Sequence, residues 1–307
     1  MKGRKRIKER MLFAIGMIVC VAAILYPLIS NFLYSRRQDK IIVEHAEAVM
    51  QKDSEWIKKE IEACARYNQK IVQKTTVVTE MTGTHSVGGE NTELKLEEYE
   101  ARLNPKGNGV MGYVIIPPIG VHLPIYHYAT DKVLDSGVGH LPESSLPVGG
   151  EGSHSVLTGH TGAAGKKIFT DLALMETGDH FFLNILGETL VYQVDQILTV
   201  LPYEVDELMV KEGEDLCTLV TCTPYGINSH RLLVRGRRVE LTEKLTTELL
   251  DREEESVIIE RITEGEGGEK ISPFLRQYLR AILFGGTLAG VLCIGMKKVP
   301  KKQRKKT

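Results

Sequence analysis

Two uncharged apolar stretches bracket this chain, and between them the spacing of apolar positions shifts from helical to strand-like. Residues 11–34 (MLFAIGMIVCVAAILYPLISNFLY) carry no charge. A bilayer core takes roughly 20 apolar residues as helix, so this run predicts a spanning helix. Residues 281–296 (AILFGGTLAGVLCIGM) are shorter, and Tyr278 and Leu279 extend them to a second predicted span over 278–296. Arg280 sits near its end, where a long side chain reaches the interface. A cleaved signal peptide is the alternative for the first run and a buried core helix for the second. The length of the first, and Gly285, Gly286 and Gly290 in the second, favour two spans.

Residues 38–73 carry Ile41, Ile42, Val43, Ala46, Val49, Met50, Trp56, Ile57, Ile61 and Ala65 at roughly helical spacing among many charges, which predicts one spacer helix. Residues 74–93 are polar and rich in Thr and Gly, a loop pattern, and 94–103 fit a short helix. From Gly112 the texture changes. The runs YVIIP, VHLPIYHY, HSVLTGH, HFFLNIL, TLVYQVDQILTVL, DLCTLVTCT and HRLLVRGRRVEL alternate with turn signals, and Gly187-Glu188 reads as a hairpin turn. Many short strands joined by turns predict a mainly β domain, a closed barrel or a sandwich. Short helices fit at 131–135, 166–175 and 204–210, and 241–262 are acidic with a helical pattern. The expected division is a basic tail (1–10), a span (11–34), a helical region (35–110), a β domain (111–240), an acidic juxtamembrane segment (241–277), a second span (278–296) and a second basic tail (297–307).

Charge changes this picture by fixing an orientation. The net charge is only −1, and nothing marks the chain as a binder of nucleic acid. Yet 13 basic residues lie in the two tails against a single acid, which leaves 26 basic and 39 acidic residues between them. Positive flanks stay in the cytoplasm, so both tails are expected inside and residues from about 35 to 275 outside. Of the five cysteines, Cys20 and Cys293 lie in the apolar runs and Cys64 in a predicted helix. Cys217 and Cys222 share one predicted strand, five positions apart, and so face opposite sides and cannot bridge. A domain outside the cell with few, unpaired cysteines is not disulfide-stapled. An unpaired thiol there is a liability unless it is buried or used, which singles out Cys222.

Three segments carry chemistry. In Leu157-Thr158-Gly159-His160-Thr161-Gly162, a histidine between glycines follows a strand and has room around its ring. In Thr218-Leu219-Val220-Thr221-Cys222-Thr223-Pro224-Tyr225-Gly226, a cysteine closes an apolar strand before a Pro/Gly turn. In Asn228-Ser229-His230-Arg231-Leu232-Leu233, an arginine opens the next strand, where a hairpin brings it beside Cys222. A free thiol has a pKa of about 8.5 and is only a few per cent thiolate at neutral pH. A nearby imidazolium favours the thiolate, and the imidazole can protonate a leaving amine. An arginine keeps its charge and can hold a carbonyl or a developing oxyanion. Singly, each has a duller reading: a small core residue, a turn histidine, a solvated strand charge. No second Cys or His stands at ligand spacing for zinc. His122, His127, His140, His154, His180 and His230 read as surface or structural.

At these segments the chain resembles the sortases. Thr218-Leu-Val-Thr-Cys222 is similar to the family's TLxTC signature, Thr158-Gly-His160 to its histidine turn, and Arg231 stands where the family has its arginine. The nearest resemblance is to class C, the pilin-polymerising sortases. It rests on Met111–Pro117, Leu123–His127, Gly137–Leu141, Ser145–Gly150, Thr221–Gly226 and His230–Gly236, and on the second membrane segment. The resemblance covers residues 95–240 and the flanks by layout only. It implies an eight-stranded closed sortase barrel with short helices, an N-terminal helical region and two transmembrane helices. It implies a plasma-membrane enzyme of a Gram-positive-type cell, with its catalytic domain on the outer side.

The implied mechanism uses no cofactor and no metal. Cys222 attacks the Thr–Gly peptide of an LPxTG-like sorting signal in a secreted pilin, and His160 protonates the leaving amine. A lysine of the next pilin resolves the thioacyl enzyme, while Arg231 steadies the signal and the oxyanion. Thr158 and Thr221 are the implied substrate-binding residues. Class C members carry a lid with an Asp-Pro-aromatic motif, expected near residues 74–92. That motif occurs nowhere here, and Asn104-Pro105-Lys106 does not supply it. Three other readings remain: a sortase that anchors proteins to cell-wall peptide, a cysteine peptidase that hydrolyses its thioester, and a non-catalytic assembly protein.

Overall fold

The computed structural model describes residues 2–72, 92–162 and 166–247, within one compact unit that spans Met1–Leu249. The expected lid region at 74–92, apart from Thr92, the acidic segment beyond 247 and the predicted span at 278–296 lie outside the described residues.

Three helices precede the barrel: α1 (Lys2–Met50), α2 (Ser54–Val72) and α3 (Thr92–Ala101). The single helix predicted over 38–73 is therefore broken. The break falls at 51–53, where Asp53 caps α2: its Oδ1 accepts a hydrogen bond from the Trp56 N–H at 2.7 Å. A side-chain acceptor at this position satisfies an otherwise orphaned donor and fixes where the new helix starts. Helix α1 runs back through the whole first apolar run. Among the described residues no helix is long and apolar enough to cross a membrane. The side chains of 11–14, 19–20, 22–24 and 27–28 lie outside the described set, so the two predicted spans rest on the sequence.

Eight strands follow: β1 (Val110–Ile116), β2 (Val121–His127), β3 (Val138–His140), β4 (Ser153–Thr158), β5 (His180–Ile185), β6 (Glu188–Val200), β7 (Asp215–Thr223) and β8 (His230–Val239). They close into a barrel in the order β1-β2-β3-β4-β7-β8-β6-β5. The β2–β3 and β4–β7 pairs are parallel and the rest antiparallel. A short helix, α4 (Asp131–Leu134), and 3-10 turns at Leu172–Leu174 and Asp206–Leu208 stand where short helices were expected, though each is shorter. Strand β3 was not visible as a periodic run. It has three residues, and Gly139 at its centre packs so closely that a Cβ would lie 2.3 Å from the Tyr128 carbonyl oxygen.

The interior is filled by Met111, Val114, Ile125, Leu157, Phe169, Phe181, Leu183, Tyr192, Leu219 and Val234. Strand β1 reads as a continuous apolar run because it is covered on both sides. Val114 and Ile116 face the interior, while Tyr113 and Ile115 pack outside with Ile42 of α1. Each large side chain fully removed from water contributes about 1.5–3 kcal/mol, before the entropy of ordering it. Two buried histidines pair with polar groups of the core. His140 is fully buried, with Nδ1 2.9 Å from the Tyr99 hydroxyl and Nε2 2.9 Å from the Ser145 carbonyl oxygen. His154 sits 2.7 Å from Thr218 Oγ1 through Nε2 and 2.9 Å from the Met209 carbonyl oxygen through Nδ1. One carbonyl and one hydroxyl per ring suit a neutral imidazole, and burial lowers the pKa of His140 to about 3 and of His154 to about 4.

Candidate active site at the end of strand β7

Strand β7 alternates strictly. Cys217 and Leu219 point into the barrel core, and Val220 joins an outer cluster with Val156, Leu208 and Leu233. Cys222 has the parity of Val220, so its thiol leaves the outer face one residue before the strand ends. Cys222 is half-buried, Cys217 on the other face is fully buried, and both are free thiols.

In the β7–β8 ladder Cys222 is the register partner of Arg231. Partners across an antiparallel pair share a face, with Cβ atoms about 4.5–5.5 Å apart. The two strands are joined by a tight turn in which the N–H groups of Ile227 and Asn228 both donate to the Pro224 carbonyl, at 3.0 and 2.9 Å. Gly226 and Asn228 take positive φ there, at 76° and 59°, which glycine and asparagine tolerate. Nη1 of Arg231 donates to the carbonyl oxygens of Asn228 (3.3 Å) and His230 (3.2 Å), which fixes the guanidinium at the strand end.

His160 reaches the same face from β4. The parallel register pairs Thr158 with Val220. The Gly159 N–H then donates to the Val220 carbonyl at 3.0 Å, and the Thr221 hydroxyl donates to the Gly159 carbonyl at 2.7 Å. Continued two residues further, this register sets His160 level with Cys222. The histidine turn is closed from behind: Phe169 N–H donates to the His160 carbonyl at 3.1 Å, and Gly162 N–H to Thr170 Oγ1 at 3.1 Å. Gly159 and Gly162 are needed for contact, since a Cβ would stand 2.8 Å from the Phe169 ring and 2.9 Å from the Tyr225 ring respectively. Asp135 lies near the imidazole. Its carboxyl is held below the usual range, chiefly by the Lys166 hydrogen bond, with His160 a smaller contributor.

All three expected catalytic residues therefore meet at one barrel end, and Thr158 is half-buried beside them. Thr221 is buried and its hydroxyl is committed to Gly159, so it acts on the histidine turn. Asp135 and Tyr225 are neighbours that sequence reasoning did not find. Tyr225 stood within a quoted motif, but its contact with Gly162 had no sequence signal, and Asp135 had none at all. Among the described residues no group of His, Cys, Asp and Glu is arranged to hold a metal.

Comparison with known proteins bears on the family of the chain. The family model for the sortase domain matches residues 114–239. Sortase A of Bacillus anthracis is 32% identical over 127 residues, which cover 41% of this chain and 59% of that protein. The chain thus spans about three fifths of that curated relative. Among solved structures, sortase C1 of Streptococcus agalactiae superposes with a TM-score of 0.60 at 40% identity, over 66% of this chain and 100% of that one. Sortase C of Streptococcus pneumoniae, whose structure bears on pilin substrate specificity, gives 0.57 at 36% identity over 66% and 98%. A whole solved relative is matched at that identity on the same barrel, and the chain accordingly belongs to the sortase family, whose members are cysteine transpeptidases.

Proposed function

We propose that this chain is a class C sortase that builds covalent pili. The observation that carries the reading is the convergence of Cys222, its register partner Arg231 and the hydrogen-bonded turn of His160 on one face of the barrel. The Cys222 thiolate attacks the Thr–Gly carbonyl of an LPxTG-like signal. The Arg231 guanidinium stabilises the oxyanion that forms. The C–N bond breaks as His160 protonates the departing glycine amine. A lysine amine of the next pilin then attacks the thioester, passes its proton to the now neutral His160 imidazole, expels the Cys222 thiolate and leaves an isopeptide bond. Thr158 borders the bound signal, and Thr221 positions the histidine turn through Gly159. Two membrane helices, at 11–34 and 278–296, hold the domain on the outer side of the plasma membrane. The likeness to sortases C of two streptococci favours the polymerising reaction over the other sortase chemistries.

The likeness to a sortase A favours one alternative, attachment of the acyl group to a cell-wall peptide amine. The test incubates the full chain in detergent with an LPxTG-type peptide and either a pilin or a cell-wall peptide as acceptor. The thioester adduct is read by mass spectrometry and the product by gel. An adduct that needs Cys222, with a pilin ladder, is expected. Transfer to the cell-wall peptide alone moves the reading to an anchoring enzyme, and release of free acid alone moves it to a peptidase. A folded protein that forms no adduct sinks the transpeptidase reading.

A further inference from the structure

Helix α1 is continuous from Lys2 to Met50, so the uncharged run and the segment packed on the barrel form one rod. The rod meets the barrel first at its reactive end. Asn31 Oδ1 accepts a hydrogen bond from the Lys167 N–H at 3.0 Å. The Lys166 ammonium stands 5.9 Å over the Tyr34 ring and donates to Asp135. These lysines adjoin Phe169, whose N–H closes the His160 turn. Further along, Val49 reaches the β5–β6 turn, where a Cβ at Gly187 would lie 3.9 Å from it. That turn is at the opposite end, since Val191 pairs with Val239 and Val200 with Arg231. Helix α1 therefore descends the barrel from the cysteine end to the far end.

The height of the first contact is informative. A helix rises about 1.5 Å per residue, so Asn31 lies ~30 Å beyond residue 11, the thickness of a hydrocarbon core. At the same level the other faces of α1 expose Ile29 (53%), Phe32 (41%) and Leu33 (60%), and Tyr26 (65%) lies one turn before them. Apolar side chains so placed are covered by lipid in a spanning helix. Arg36 and Arg37 follow about 8–9 Å further along the helix than Asn31, so four cationic residues, with Lys166 and Lys167, lie within the first two turns above it. Lys166 and Lys167 are paired with Asp135 and Asp171, at 3.0 and 2.9 Å. At the far end stand Glu151, Glu188, Glu214 and Asp215, with Arg237 and Arg238. Of the groups named, the near end has four cations against Asp135 and Asp171 and the far end four acids against two arginines, a bias that suits a negatively charged surface below the reactive end.

We propose that the reactive end of the barrel rests on the bilayer, with Lys166 and Lys167 in the headgroup layer of anionic phospholipid. This rests on the reading of 11–34 as a membrane span. The histidine turn is then held at a fixed height above the lipid by the Asn31–Lys167 bond, and the cysteine faces substrate presented at the membrane surface.

The test uses the full unsubstituted chain in phosphatidylglycerol vesicles that contain a phospholipid with a photoreactive headgroup. Adduct positions are found by fragment-ion sequencing. Adducts at Lys166, Lys167 and 31–37, with at least about tenfold fewer at 186–190 and 213–216, are expected. Equal labelling of both ends, or labelling at the far end alone, overturns the proposal. A chain that does not float with the vesicles removes the membrane reading and the proposal with it. The sortase reading stands apart from every one of these outcomes, because the thioester adduct is read on the same chain in detergent.

Discussion

The two cysteines of β7 sit five residues apart on one strand and live in different solvents. Cys217 points into the barrel, is fully buried, and burial pushes its thiol well above the ordinary cysteine range. Cys222 leaves the outer face at the strand end, half-exposed, opposite an arginine and level with a histidine turn. The same side chain is an inert core filler on one face and a candidate nucleophile on the other. Strand parity alone makes the difference, since an odd separation reverses the face. What the contrast teaches is that the site belongs to the outer face of the β4–β7–β8 ladder and not to a pocket inside the barrel.

Replacing each cysteine separates the two faces most sharply. Cys222→Ala is expected to abolish the thioester adduct, since no thiol remains to be acylated, while the melting temperature moves little. Cys217→Ala leaves the rate per folded molecule unchanged and lowers the melting temperature, because a small cavity opens in the core. Thioester formation by mass spectrometry and a thermal melt read both. A Cys217→Ala protein that melts normally but forms no adduct would invert the assignment. Next in size is Arg231→Lys. Lysine keeps the charge and loses the planar fork, and removal of one oxyanion donor costs about 10²–10³ in kcat. The kcat of peptide cleavage is expected to fall by that order, with Cys222 alkylation by iodoacetamide retained. An undiminished kcat would place the oxyanion donor elsewhere.

Parts of this arrangement were legible in the sequence and parts were not, for physical reasons. The opposite orientation of Cys217 and Cys222 follows from period two, and the Cys222–Arg231 pair follows from a short connection between adjacent strands. Local patterns carry such facts. The place of His160 is different. It lies 62 residues before the cysteine, and the parallel β4–β7 register that levels them is decided by long-range closure of the barrel. Only the resemblance to a family supplied it. The Asn31–Lys167 bond spans 136 residues and has no local signal at all. The break between α1 and α2 was readable in principle from Asp53-Ser54, a capping pair, but the apolar spacing ran through it. Strand β3, with a glycine at the centre of three residues, was too short to show a period.

Acid sharpens the comparison between histidines that pack and the histidine of the site. His140, His154 and His45 have pKa values lowered by burial, to about 3, 4 and 4 respectively, against an ordinary value near 6.5. The unfolded chain then binds more protons than the native one below pH 6.5. The stability these groups contribute is complete above pH 6.5 and is lost as pH falls toward their folded values. At pH 5 each costs about 2 kcal/mol. A melt series from pH 7.5 to 5 should show a falling midpoint. The slope should lessen in His154→Gln, whose amide bonds Thr218 and carries no titration. A flat series would mean that these rings are charged in the folded state.

The smallest expected effects come from two threonines on β7, and they ask whether a buried hydroxyl serves the site or the core. Thr221 donates to the Gly159 carbonyl, one residue before His160. Thr218 bonds to His154, far from the thiol. A buried hydrogen bond contributes about 0.5–1.5 kcal/mol, so Thr→Val at either position should lower stability by a similar amount. The rates should diverge. Thr221→Val releases the histidine turn and is expected to lower kcat about threefold to tenfold with KM unchanged, and Thr221→Ser, which keeps the donor, should restore it. Thr218→Val should leave both constants where they were. Equal loss of kcat in both variants would mean that the barrel end responds to general loosening of β7, and that Thr221 has no positioning role of its own. A loss confined to Thr221→Val and rescued by serine would assign the turn to that hydroxyl, because stability falls alike in the two proteins and only the link to Gly159 differs.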